Sequence, residues 1–203
     1  MNLGSSSTRD RLRSRLRAQV SDAILDAAEE LFAARGVHQT PLTAIAKRAG
    51  VAVGTLYNYH VDRDALVHAL FESRRAALVP QIAAIGAAGA ALAFEPRLRH
   101  FVAGVLALFD ANQRFLKIAL ETEHLRSLPG GKRAITTIGT ELAAIVDAGI
   151  TARLIGKAQR ELLPRLLAGA IKSSLMLRVE RDQPAAGDAE AIVDMFLRGA
   201  LLR

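Results

Sequence analysis

Pro41-Leu-Thr-Ala-Ile-Ala-Lys-Arg-Ala-Gly50 runs directly into Val51-Ala-Val-Gly-Thr-Leu-Tyr-Asn-Tyr-His60, and the reading of this stretch decides the fold. Thr40 is placed to cap a helix and Pro41 suits its first position, where the missing N–H would have no intrahelical partner anyway. Leu42, Ile45 and Ala49 then fall at i, i+3 and i+7, giving a short helix with one apolar stripe. Gly50 ends it, because glycine accepts the left-handed conformation that other side chains resist, and Val51 follows as an apolar anchor under the turn. A second helix is predicted over Val53–Tyr59, with Val53, Leu56 and His60 facing inward and Gly54, Thr55, Tyr57, Asn58 and Tyr59 on its other faces. Two short helices about a glycine read as a helix-turn-helix. The same residues also suit a plain helical connector with two packing tyrosines, so the pair by itself leaves both readings open.

Charge favours the first reading. From Leu31 to Val61 there is no Asp or Glu, while Arg35, Lys47 and Arg48 are present, so the segment carries only positive formal charge. A phosphate backbone suits such a surface. Ahead of it, Arg9, Arg11, Arg13, Arg15 and Arg17 against Asp10 leave +4 of the net +7 in residues 1–17. This basic arm reads equally as a solubilising tail or as a DNA-contacting segment that follows phosphates or enters a minor groove, with Arg15 and Arg17 its candidate contacts.

Outward from the motif the pattern stays helical. Ile24, Ala27, Ala28, Leu31 and Phe32 form the apolar face of a first helix that Gly36 terminates, and Asp62 is placed to cap a fourth running through Leu66 and Leu70 towards Ile85. Breaks are predicted at Gly86–Ala93, near Ala111–Asn112, at Leu128–Gly131, around Gly156 and at Gln183–Gly187, and Glu95-Pro96 opens a helix. No apolar segment of period two is found. The expected fold is all-α: an arm (1–17), a three-helix helix-turn-helix domain (18–62) and a helical bundle (63–203).

At 203 residues and 51% apolar the chain buries one sizeable core. Charged residues interrupt every long apolar run, the opening residues carry no apolar core segment, and there is no cysteine, so a cytoplasmic protein without disulfides, thiolate metal sites or a membrane partner is expected. The five histidines, His38, His60, His68, His100 and His124, show no metal-ligand spacing, Gly86-Ala-Ala-Gly lacks the strand and Lys-Ser/Thr of a phosphate loop, and Gly-x-Ser-x-Gly does not occur. Nothing points to catalysis, a cofactor or a metal.

Four blocks, Ile24-Leu-Asp-Ala-Ala-Glu-Glu-Leu-Phe-Ala-Ala-Arg-Gly36, Leu42-Thr-Ala-Ile-Ala-Lys-Arg-Ala-Gly-Val51, Gly54-Thr-Leu-Tyr57 and Asp62-Arg-Asp-Ala-Leu66, resemble the TetR family of bacterial transcriptional regulators in order and spacing. His60 stands where that family usually has Phe, and Arg63 where it usually has Lys. The resemblance implies a homodimeric repressor that leaves a palindromic double-stranded operator when a small molecule binds. It puts Thr55 and Asn58 nearest the bases beside Val53 and Gly54, with Thr43, Lys47, Tyr57, Tyr59 and Arg63 on phosphates. It also implies a dimer interface on long helices at about 132–155 and 159–181. There Ile138, Leu142, Ile145 and Gly149, and Leu163, Leu166, Leu167, Gly169, Ala170 and Ser174, form stripes that would otherwise read as core. An effector pocket is expected from Phe101, Phe109, Phe115, His124 and Met176, for an apolar or amphipathic molecule. The competing expectations are a ligand-independent architectural DNA binder and an all-helical enzyme without a recognisable motif.

Overall fold

Hydrogen bonding within single helices satisfies most of this backbone. The computed structural model describes residues 4–121 and 131–200, and among these it contains nine α-helices and no strand: α1 (Gly4–Arg35), α2 (Leu42–Arg48), α3 (Val53–Tyr59), α4 (Arg63–Ala88), α5 (Phe94–Asp110), α6 (Gln113–Glu121), α7 (Gly131–Thr151), α8 (Leu162–Glu180) and α9 (Ala189–Ala200). Single 3-10 turns occupy Lys157–Gln159 and Ala186–Asp188. The expected break at Leu128–Pro129–Gly130 lies outside the described residues. No helix among them is long and apolar enough to cross a membrane.

The chain forms two compact units, residues 1–73 and 74–203, dividing inside α4 rather than at its start. The first turns of α4 account for the shift: Leu66, Val67, Leu70 and Phe71 are buried, as are Ile24, Ala28 and Phe32 of α1 and Ile45 and Ala46 of α2. α2 packs on both α1 and α3. Asp62 caps α4 as its sequence position predicts, its Oδ1 accepting the Ala65 N–H at 2.7 Å. The basic arm is no separate segment, because α1 continues through it from Gly4.

In the second unit α5 is central, touching α6, α7, α8 and α9. It buries Phe94, Leu98, Phe101, Val102, Val105 and Leu106. Ile138, Leu142 and Ile145 of α7 and Leu163 and Leu167 of α8 join the same core. The apolar stripes read as interface candidates are therefore largely intramolecular, and of the residues named only Leu166 and Gly169 are exposed. α7 also stops earlier than its pattern suggested: the Leu154 N–H turns back to the Gly149 carbonyl at 2.9 Å, and a 3-10 turn takes the place of the expected start of α8.

Polar side chains fix the connection into α9. Asp110 accepts the Ala185 and Ala186 N–H groups at 2.7 and 2.8 Å. Asp188 accepts from Ser174 Oγ at 2.7 Å and pairs with Arg178, and this guanidinium, then the hydroxyl, hold its carboxyl down at about 2. Arg99 of α5 bridges Glu95, Glu190 and Asp194, which ties α5 to α9 and raises its own pKa through the hydrogen bonds to Glu95 and Asp194.

Candidate nucleic-acid interface

The turn between α2 and α3 is built by backbone bonds that the sequence dictates. Gly50 has φ +71°, its N–H donates to the Lys47 carbonyl at 3.2 Å, and the Val51 N–H donates to the Ala46 carbonyl at 3.0 Å. This is the paired helix-ending motif that places glycine in the left-handed region, and it sets the angle at which the chain enters α3.

What leads into α2 differs from expectation. The N-cap is Pro41, without a side-chain hydrogen bond, and the Thr40 hydroxyl is buried and points back to α1, donating to the carbonyls of Gly36 at 2.8 Å and Leu31 at 3.3 Å. With its hydroxyl committed to the end of α1, Thr40 closes the loop instead of opening the helix. Arg63 completes the closure: its two terminal nitrogens donate to the carbonyls of His38 and Thr40, both at 3.0 Å. These two bonds give Arg63 a structural role in the loop that its sequence position did not announce, and they use two of the five N–H groups of its guanidinium.

α3 buries one residue, Leu56. Val53, expected to face inward, is 39% exposed and joins the outer surface, and Tyr57 is 46% exposed. Gly54 and Asn58 are exposed as well, and Thr55 and Tyr59 are half-buried. A Cβ at Gly54 would meet nothing within 4 Å, so the fold does not require glycine there. Thr43 and Lys47 are exposed on α2. His60 follows the helix as a buried C-cap whose Nε2 has no hydrogen-bond partner, and burial lowers its pKa.

The electrostatic frame is cationic but not free of acid. Arg48 pairs with Glu30 of α1 at 2.6 Å, a neighbour that the acid-free run in sequence did not reveal. The arm does reach the motif: the Arg17 guanidinium lies over the Tyr59 ring, 5.7 Å from its centroid. Arg15 is exposed on the same helix. The structure thus brings Thr43, Lys47, Val53, Gly54, Thr55, Tyr57, Asn58, Tyr59 and Arg17 onto one small unit.

The residues expected around an effector do not assemble in the same way. Phe101 is core, Phe109 packs against that core, Phe115 is buried on α6, and Met176 is exposed on α8. His124 lies outside the described residues. On the second unit Leu166, named among the interface candidates, is exposed together with Leu162 and Met195, which sequence reading did not single out, the last by 69%. The signal for Leu162 was its place four residues before Leu166 and seven before Gly169, a second face of α8 that the reading merged with the core stripe.

Residues 24–70 match the family described as bacterial regulatory proteins, tetR family. The fatty acid metabolism regulator protein of Bacillus subtilis is 43% identical over 51 residues, 25% of this chain and 26% of that protein. The HTH-type transcriptional regulator UidR of Escherichia coli is 38% identical over 47 residues, 23% of this chain and 24% of that protein. The matched stretch thus spans about a quarter of the length of these curated relatives. Over the whole chain, the solved structure of the regulator FadR from Bacillus subtilis in complex with stearoyl-CoA superposes with a TM-score of 0.70 at 21% identity, covering 87% of this chain and 97% of that one. FadR from Bacillus halodurans gives 0.74 at 22% identity, covering 89% and 95%. The turn at Gly50 and the short α3 both fall within residues 24–70, the stretch that matches the tetR family of bacterial regulatory proteins.

Proposed function

We propose that the chain is a dimeric, sequence-specific transcriptional regulator, a repressor that a small apolar or amphipathic molecule releases from its operator. The observation that carries this reading is α3, a helix held by one buried leucine and presenting Val53, Gly54, Thr55, Tyr57 and Asn58 outward on a cationic unit. In this reading α3 enters the major groove, Thr55 and Asn58 read base edges, and Thr43, Lys47, Tyr57, Tyr59, Arg15 and Arg17 contact phosphates. A relative's complex with stearoyl-CoA supports an amphipathic effector for this chain too, received by the second unit.

The exposed face of α8 supports dimerisation. Leu162, Leu166 and Gly169 form a ridge between two grooves, one of about 900 Å³ against Thr136, Thr140 and Ala143 of α7 and one of about 260 Å³ against Ile192, Met195 and Phe196 of α9. A ridge flanked by grooves complements a two-fold copy of itself. Two recognition helices so related require an inverted-repeat operator with half-sites about 34–36 Å apart.

The test begins with selection of duplexes from a random library by the full chain, followed by anisotropy titrations of variants. Asn58→Ala and Thr55→Ala change which positions of the selected sequence matter, each by about 1–3 kcal/mol, while Lys47→Ala weakens specific and nonspecific duplexes alike. Selected sites without inverted symmetry overturn the dimeric reading. Occupancy that acyl-type amphiphiles and other apolar metabolites leave unchanged leaves a ligand-independent architectural binder in its place.

A further inference from the structure

The N-terminal part of α1 carries a pattern that its basic composition alone does not disclose. All residues from Thr8 to Gln19 are exposed, and within them Leu12 and Leu16 are 57% and 52% exposed. At helical spacing Leu12 and Leu16 form one ridge (i, i+4). Arg9, Arg13 and Arg17 form a row along one side of it, Arg11 and Arg15 a row along the other, and Asp10, Ser14 and Ala18 occupy the far face. The sole acid of this segment therefore sits away from the ridge. The row that includes Arg17 ends on Tyr59, at the last turn of α3.

A narrow apolar ridge between two rows of guanidinium groups matches a groove of duplex DNA. The major groove is about 12 Å wide and accepts a helix about 10–12 Å across, with a phosphodiester strand on either side. Arginines on both flanks reach both strands, and planar guanidinium groups bind phosphate oxygens in pairs. The ridge itself then meets the groove floor, where thymine methyl groups are the apolar feature. Two leucines bury too little apolar area to hold a helix at a bilayer, which favours the nucleic acid over a lipid surface.

We propose that residues 8–17 are a second, helical DNA-contacting element, seated in the groove segment flanking the one that α3 enters. The inference rests on the DNA-binding reading above and adds a rigid helix, a groove and a footprint to it. From Arg17 back to Thr8 the helix extends about 14 Å at 1.5 Å per residue, which corresponds to about four base pairs at 3.4 Å each. Each half-site therefore has a protected outer flank of that length, with a preference for A·T pairs there.

Hydroxyl-radical footprinting on a duplex selected by the full chain tests this with two variants. R9A/R11A/R13A removes charge, and S14P interrupts the helix while retaining every arginine. Both are expected to lose the outer flanks and keep the protection centred on the half-sites. The slope of log affinity against log salt is expected to fall by about one for each phosphate-bound arginine removed. Flanks lost in the triple variant but retained in S14P overturn the helical element in favour of a flexible arm. Flanks equal in all three proteins, or absent in the parent chain beside protected half-sites, overturn the inference and leave the DNA-binding reading standing. Unaltered flanks together with parent-only binding to phosphatidylglycerol vesicles assign the arginines to a lipid surface instead. A parent chain that protects no selected duplex overturns the underlying reading and this inference with it.

Discussion

α3 and α5 use their side chains in opposite ways. α3 buries only Leu56 and exposes Val53, Gly54, Tyr57 and Asn58, whereas α5 buries six residues and is surrounded by four other helices. On α3 the groups offered to a partner are groups the fold does not need. On α5 a ligand that reached any of those six residues would touch a packing residue. Binding and stability should therefore separate under mutation in the first unit and move together in the second.

The largest expected effect breaks or upholds the second half of that contrast. Phe101→Ala should cost about 3–5 kcal/mol in urea unfolding without any ligand, the range for deleting a buried aromatic ring. Unchanged stability with weakened effector binding would instead make Phe101 a wall of a preformed pocket. Gly54→Ala tests the first half. Nothing within 4 Å opposes the added methyl, so stability should hold or rise by up to about 1 kcal/mol from helix propensity. In the proposed reading operator affinity should fall about tenfold or more, equivalent to about 1.4 kcal/mol, because the methyl would occupy space that DNA approaches. An Ala variant that binds normally would remove Gly54 from the interface.

Acid distinguishes the units further. Asp188 has its pKa lowered to about 2, so its contribution is complete above the unfolded value near 4 and is lost as pH falls from there through about 2. Asp188→Asn should cost about 1–2 kcal/mol at pH 7 and flatten that part of the acid denaturation curve. His60 responds at higher pH. Its folded pKa lies below the unfolded value of about 6.5, so the unfolded chain takes the proton first and the first unit loses stability as pH drops below about 6.5. His60→Phe, which deletes no hydrogen bond at Nε2, should abolish this smaller slope, observable as hydrogen exchange in α3 at pH 5 and pH 7. Exchange in the parent that is equal at the two values, after correction for intrinsic rates, would show that His60 carries no such linkage.

How far each region was legible follows from where its determinants lie in the chain. Gly50, Leu56 and Asp62 act on neighbours a few residues away, so α2, the turn, α3 and the cap of α4 could be read in order from the sequence. The Thr40 cap was misread, and the loop contacts of Arg63 unforeseen, for the opposite reason. A threonine before a proline looks like a cap, and only the structure shows its hydroxyl spent on Leu31 and Gly36, or the Arg63 guanidinium closing on His38 and Thr40. Glu30 escaped notice because its partner Arg48 comes from another helix. In the second unit the helices were visible, but α8 has two apolar faces, and sequence spacing cannot say which meets α5 and which meets solvent. The same limit applies to the phenylalanines, whose identity suits a core or a ligand equally.

The single buried side chain of α3 has a consequence for how such a protein changes over generations. Val53, Gly54, Tyr57 and Asn58 face away from the fold, and replacing them leaves the turn at Gly50 and the seat of Leu56 intact. If α3 reads DNA as proposed, duplicated copies of this chain can therefore drift towards new target sequences one substitution at a time, each intermediate still folded. The lineage of recognition is unhooked from the lineage of the scaffold, and the narrow attachment of a seven-residue helix is what permits the divergence.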